Sequence, residues 1–209
     1  MTTRDLKIEF HRIPQTIAVI REWFNPEELE LVWSELNVLC SPFLLRPPEE
    51  TGAAHSREDR SLLKKGHGLF LDNIYNGRRE VSHILNIGRR VFTKEFNEAL
   101  AGNDPNFRHI SECDNDWTLV NYYEGGDEYK SHTDQAIYTA NVVLWREPKK
   151  FDGGKFILEK DERDLEIGHN DMVIFPGYTL HAVTPMTMHE DYTPWKSGRY
   201  SIANFCSYR

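Results

Sequence analysis

A chain of 209 residues, 39% hydrophobic and 28% charged, can close one core. The expectation is one domain over 1–209, with helical support in 1–110 and a β-rich core in 111–209. The formal net charge is −8, and the basic residues cluster no more densely than pairs such as Lys64-Lys65, Arg78-Arg79, Arg89-Arg90 and Lys149-Lys150. That argues against a nucleic-acid backbone as partner, because phosphate neutralisation needs a basic patch. No apolar stretch approaches the ~18–20 residues of a membrane span, and MTTRDLKIEFHR lacks the apolar run of a secretory signal. Cys40, Cys113 and Cys206 form no C-x-x-C pair, which argues against a disulfide framework or thiolate zinc site and for a reducing, cytoplasmic setting.

In chain order, the centre of QTIAVIREWF reads as a strand. Asn25-Pro26-Glu27-Glu28 opens a helix, with Asn25 as N-cap, Pro26 in the first turn and Glu28 three residues after the cap. Leu29, Val32, Trp33, Leu36 and Leu39 give it one apolar face, and Pro42 ends it. Residues 41–68, rich in Pro, Gly and charge, make a long connection of the kind that is either functional or mobile. GLFLDNIY (68–75) reads as a strand, and Glu80 to Leu100 as a second amphipathic helix stopped by Gly102-Asn103. From Asp116 onward, WTLVNYY, YTANVVLW, KFILEK, DMVIFPGYTLHAVTP and RYSIANFCSY alternate with turns, the spacing of an antiparallel sandwich or barrel.

Several residues in that second half suit chemistry. In His132-Thr133-Asp134 the outer two side chains share one strand face, where they can converge on one point or stand as a solvated strand-end pair. His181 sits in the apolar run FPGYTLHAVTP. It is either a hydrogen-bonded core histidine or, with His132 and Asp134, the third member of a set of two imidazoles and one carboxylate, which suits Fe(II) with open positions and could also take zinc. In GRYSIANF, Arg199, Ser201 and Ala203 share one face opposite Tyr200 and Ile202. An Arg pointing into a barrel is costly unless it meets an anion, either a bound carboxylate or an internal Asp or Glu; the alternative is an Arg pointing to solvent.

H-T-D, the histidine of LHAVTP and R-Y-S together resemble the ligand set of the Fe(II)- and 2-oxoglutarate-dependent dioxygenases, and more closely their prolyl 4-hydroxylase-like group. The resemblance covers roughly 117–207, including NYYEGGDEYKSHTD and the FDGGKF turn. It implies an α+β fold, a double-stranded β-helix (jelly roll) in 111–209 as catalytic core, supported by N-terminal helices. It also implies His132, Asp134 and His181 as iron ligands and Arg199 on the distal carboxylate of 2-oxoglutarate. Tyr122 and Ser201 would stand beside that cosubstrate, and Tyr129 near the substrate. The cofactors implied are Fe(II) and 2-oxoglutarate, with O₂ as co-reactant and ascorbate compatible as an auxiliary.

Two departures stand out. Arg199 follows His181 by eighteen residues, a longer gap than usual, and the extra MTMHEDYTPWKSG is expected to form a loop over the site mouth. Val143 stands about where relatives present a tyrosine to the distal carboxylate. The activity implied is hydroxylation of a C–H bond, of a prolyl residue in a peptide or protein. The alternatives are a free amino acid or small metabolite as substrate, a cupin-like metalloprotein without 2-oxoglutarate, or a non-catalytic binding jelly roll. His55, His67, His109, His169 and His189 read as solvated, Trp195 and Tyr192 as groove lining or loop anchors, and Gly125-Gly126 and Gly153-Gly154 as turn devices.

Overall fold

The computed structural model describes residues 6–12, 15–158 and 163–208. The opening MTTRD and the end of the KFILEK run, Glu159 and Lys160, lie outside the described residues. Strands β1 (Ile8–His11) and β2 (Ile17–Ile20) come first, then helix α1 (Pro26–Leu39). The Asn25 side chain accepts from the Glu28 amide while Glu28 reaches back to the Asn25 amide, a complete capping box, and the helix ends at Cys40.

The next two expectations need correction. GLFLDNIY is not one strand: β3 (His67–Phe70) stops and Leu71–Tyr75 coils into α2. Asp72 drives the change, since its carboxylate accepts the Thr118 amide at 2.7 Å and pairs with Arg79. The helix read over 80–100 is broken into a 3₁₀ turn, α3 (His83–Gly88), a second 3₁₀ turn and α4 (Lys94–Ala101). Ser82 and Thr93 both act as N-caps, accepting from Leu85 and Phe96, so each starts a new helix inside the apolar periodicity.

The remaining strands are β4 (Asn115–Tyr123), β5 (Tyr129–His132), β6 (Tyr138–Trp145), β7 (Phe151–Gly153) and β8 (Phe156–Leu158). They are followed by β9 (Arg163–Asp164), β10 (Asp171–Pro176), β11 (His181–Val183), β12 (Met186–Met188) and β13 (Arg199–Ser207). A seven-stranded sheet runs β1-β2-β10-β6-β13-β4-β3, a four-stranded sheet runs β5-β11-β8-β9, and β12 pairs with β7. This is the expected jelly roll with supporting helices.

Strand alternation divides the large sheet's side chains between two cores. Val120, Tyr122, Val142, Met172, Tyr200 and Ile202 face α1, α3 and α4, packing with Val32, Leu36, Ile84 and Phe96. Val19, Val173 and Phe175 face the small sheet and meet Phe156 and Leu158. The helices thus back the large sheet, and its other face is free to build a cavity against the small one.

Glu35, buried in α1, ties that helix to the next: its carboxylate accepts from Tyr75 Oη and Ser82 Oγ, both at 2.6 Å, and from the Ile84 amide at 3.0 Å. Replacing it strands these donors at a buried junction. Glu35→Ala is expected to cost about 3 kcal/mol, read as a lowered midpoint in urea denaturation.

Candidate metal centre

The β5–β11 pairing sets the centre. His132 ends β5, His181 begins β11, and the antiparallel register places them directly opposite each other. Their ring centroids are 4.2 Å apart. His132 Nδ1 lies 2.8 Å from the Lys130 carbonyl oxygen and His181 Nδ1 lies 2.9 Å from that of Thr179. A carbonyl only accepts, so each Nδ1 carries the proton and each Nε2 presents a lone pair.

Both Nε2 atoms face Asp134: His132 is 3.6 Å from Oδ1 and His181 is 3.6 Å from Oδ2. Ligand atoms of all three residues lie within 4.8 Å of one another. Asp134 is held by the Thr139 hydroxyl, which donates to Oδ2 at 2.6 Å, and by its amide bond to the Gly177 carbonyl at 2.8 Å. Gly177 is required there, since a Cβ would sit 2.1 Å from the Ala136 oxygen. Burial, helped by His181, pushes His132 down to about 3, so the ring is a neutral ligand rather than an imidazolium. Two imidazole nitrogens and one carboxylate, each oriented by a second partner, fit a divalent metal such as Fe(II).

The centre opens into a cavity of about 1410 Å³ between the sheets, lined in part by Asn121, Tyr123, Tyr129, Ser201 and the 50–58 segment. The Tyr129 ring stacks on His132 at 3.5 Å, and its hydroxyl accepts from the Ala54 amide. Ser201 and Ala203 line the cavity as their alternation predicts. Arg199, on the same strand face, is 1% exposed, and its Nε, Nη1 and Nη2 all lack a hydrogen-bond partner. Its Cζ lies 5.6 Å from the Tyr123 ring centroid. Burial lowers it to about 10. A buried guanidinium with five unspent donors fits a carboxylate, and the distal carboxylate of 2-oxoglutarate is of that kind.

Tyr122 is corrected. It lies on the helix-facing side of β4, stacked on Trp195 and edge-on to Tyr200, with its hydroxyl donating to Glu124 at 2.8 Å. Its neighbour Tyr123 faces the cavity, because adjacent strand residues point to opposite faces. Val143 is buried and pairs with Ser201. The 186–198 insertion does not line the cavity: β12 pairs with β7, and Trp195 anchors the rest against Tyr122 and His67. His169 is not solvated, since it stacks on Trp33 and accepts the Trp145 amide. Lys64, read only as half of a basic pair, is 2% exposed and lines the cavity. Only its burial could have revealed it.

Residues 118–207 match the family model of the 2OG-Fe(II) oxygenase superfamily. A PKHD-type hydroxylase of Delftia acidovorans is 32% identical over 81 residues, covering 32% of this chain and 36% of that protein. One from Bordetella pertussis is 34% identical over 83 residues, covering 33% and 37%. Over this region the chain resembles the 2OG-Fe(II) oxygenases, PKHD-type hydroxylases among them. The match spans little more than a third of these relatives' own length. In fold, this oxygenase-like chain is similar to a Pseudomonas putida prolyl-4-hydroxylase (TM-score 0.51, 14% identity, 92% of each chain). It is also similar to a 2OG-Fe(II) oxygenase family oxidoreductase of Burkholderia pseudomallei (TM-score 0.53, 13% identity, 91% and 84%).

Two substitutions test the geometry. Thr139→Val frees the Asp134 carboxylate and is expected to weaken Co(II) binding about 10–100-fold, followed by visible titration. Arg199→Met removes an unpaired buried charge and is expected to raise the stability of the ligand-free protein by about 2 kcal/mol, seen as a higher melting temperature.

Proposed function

We propose that this protein is a non-haem Fe(II)- and 2-oxoglutarate-dependent oxygenase that hydroxylates a C–H bond of a prolyl residue in a peptide or protein. The observation that carries the reading is Arg199, a buried, unpartnered cation on the strand face that Ser201 and Ala203 extend along the wall of the triad's cavity. A cupin-like metalloprotein without 2-oxoglutarate would have no use for that charge. His132, Asp134 and His181 would hold the iron, which supplies oxidative decarboxylation of 2-oxoglutarate by O₂ and insertion of one oxygen atom into the substrate.

The chain's own residues do the rest. Lys130 and Thr179 keep both Nε2 atoms pointing inward through their carbonyls. Arg199 would clamp the distal carboxylate, with Ser201 and Tyr123 beside it, Tyr123 taking the place expected of Tyr122. Tyr129 covers one face of His132 and stands where the 50–58 segment meets the centre, the position suited to a substrate contact. Residues 111–209 would form the catalytic core and 1–110 its support and substrate loop. The cavity exceeds the roughly 300–1,000 Å³ of ordinary small-molecule pockets. Exposed Trp117, Tyr178 and Leu180 at its lining give an extended peptide apolar ground to lie on. The three free, buried cysteines suit a reducing cytoplasm.

The test is an anaerobic titration with Fe(II) and 2-oxoglutarate, followed by succinate formation from proline-rich peptides with and without ascorbate. Wild type is expected to develop a weak visible charge-transfer band and a product heavier by one oxygen atom, about 16 mass units, mapped to proline. His132→Ala is expected to abolish both. A protein that binds Fe(II) but shows no response to 2-oxoglutarate would sink this reading.

A further inference from the structure

A second cation lies in the cavity wall. Lys64 is buried, yet its Nζ meets only neutral groups at hydrogen-bond range: Asn121 Oδ1 at 2.6 Å and Thr51 Oγ1 at 3.4 Å. An ammonium has three donors, so one is unspent. Asp127 attracts Lys64 through space, but its Oδ2 accepts from the Glu124 amide instead. Gly68 leaves the room for this, since a Cβ there would stand 3.2 Å from the Lys64 nitrogen. Asn121 is fixed in turn, donating to Ser201 Oγ at 3.2 Å. Lys64, Asn121 and Ser201 therefore form a polar row one step along the sheet from the Arg199–Tyr123 pair.

Charge bookkeeping separates the two cations, and this step rests on the oxygenase reading above. A ferrous ion beside Asp134 keeps one net positive charge, Arg199 adds another, and the dianion of 2-oxoglutarate offsets both. Lys64 is left over: burial in this wall pushes its amine down to about 7, and an anion bound beside Nζ would favour the ammonium form.

We propose that Lys64, held by Asn121, is the anchor for a carboxylate on the substrate itself, so that the substrate is an acid. The carboxylate can come from a free amino acid, from the C-terminus of a peptide or from an Asp or Glu side chain near the target residue. Lys64 is then a specificity residue, while Arg199 serves the cosubstrate.

The experiment labels lysine with ¹⁵Nζ and ¹³Cε and follows the Lys64 signal, assigned by its absence in Lys64→Met, in protein with Zn(II) and 2-oxoglutarate. The same titrations are run without metal and cosubstrate, so that failure of the oxygenase reading is seen separately. The probes are L-proline against L-prolinamide, N-acetyl-L-proline against its amide, and acetyl-Pro-Asp-amide against acetyl-Pro-Asn-amide. At least one acid is expected to shift the signal saturably and bind about tenfold more tightly than its amide, a difference of about 1.4 kcal/mol. The pair showing it names the source of the carboxylate. Lys64→Met should erase that preference and leave 2-oxoglutarate affinity within about twofold, unlike a lost charge-assisted contact. Asn121→Asp, which gives Lys64 an internal partner, should erase it as well. No saturable shift with any acid, equal binding of acid and amide, or a loss of 2-oxoglutarate affinity in Lys64→Met matching that in Arg199→Met would overturn the proposal.

Discussion

Everything at the centre depends on two backbone carbonyls. Those of Lys130 and Thr179 take the Nδ1 protons of His132 and His181, and so decide which nitrogen of each ring faces Asp134. Without them an imidazole in a buried site could turn or change tautomer, and the three ligand atoms would not converge. Each carbonyl sits two residues before its histidine, and the antiparallel pairing of β5 with β11 sets the two rings opposite each other. The fold thus supplies orientation through main-chain atoms, which substitutions cannot remove one by one.

The same architecture tolerates an energetic conflict. Strand alternation sends Arg199 and Ser201 inward and Tyr200 and Ile202 onto the helices. The outward set is ordinary core, while the inward set includes a buried guanidinium with no internal partner. Together with Lys64 this puts two buried basic side chains in a protein whose formal net charge is −8, while several other buried or half-buried ion pairs lie elsewhere. Asp116 neutralises Arg79 and Arg89, Asp171 binds Arg21, and Glu28 binds Arg90, all away from the cavity. Arg199 and Lys64 are thus left without a carboxylate partner at hydrogen-bond range, and a bound anion would relieve that cost.

Much of this is legible in the order of the amino acids. The capping box at Asn25 and Glu28 is local chemistry, and local chemistry reads well. His132, Asp134 and His181 can be grouped because H-x-D spacing and apolar strand context are visible in one dimension, and the face shared by Arg199 and Ser201 follows from a period of two. The failures have equally physical causes. The apolar run from Val81 to Leu100 has helical spacing throughout, but Ser82 and Thr93 bond their own backbone and restart the helix. Of two adjacent tyrosines, 122 and 123, only the register of β4 against β13 decides which one turns inward, and that register is a long-range property. Lys64 carries no signal at all in a charged, loop-like stretch, because its interest lies in what surrounds it.

The Tyr129 phenol joins two parts of the molecule that sequence separates: its ring roofs His132 while its oxygen accepts from Ala54. Beyond Ala54 the connection doubles back on itself, with His55 bridged to Leu62 and the exposed residues Arg57 to Ser61 at its tip. Variation along this segment is therefore graded. Residues at the tip can be exchanged or inserted with no effect on the imidazole, whereas a shift of one residue at Ala54 withdraws the donor that steadies its roof. Diversity among relatives, or in an engineered library, should gather at the tip and thin out sharply toward Ala54.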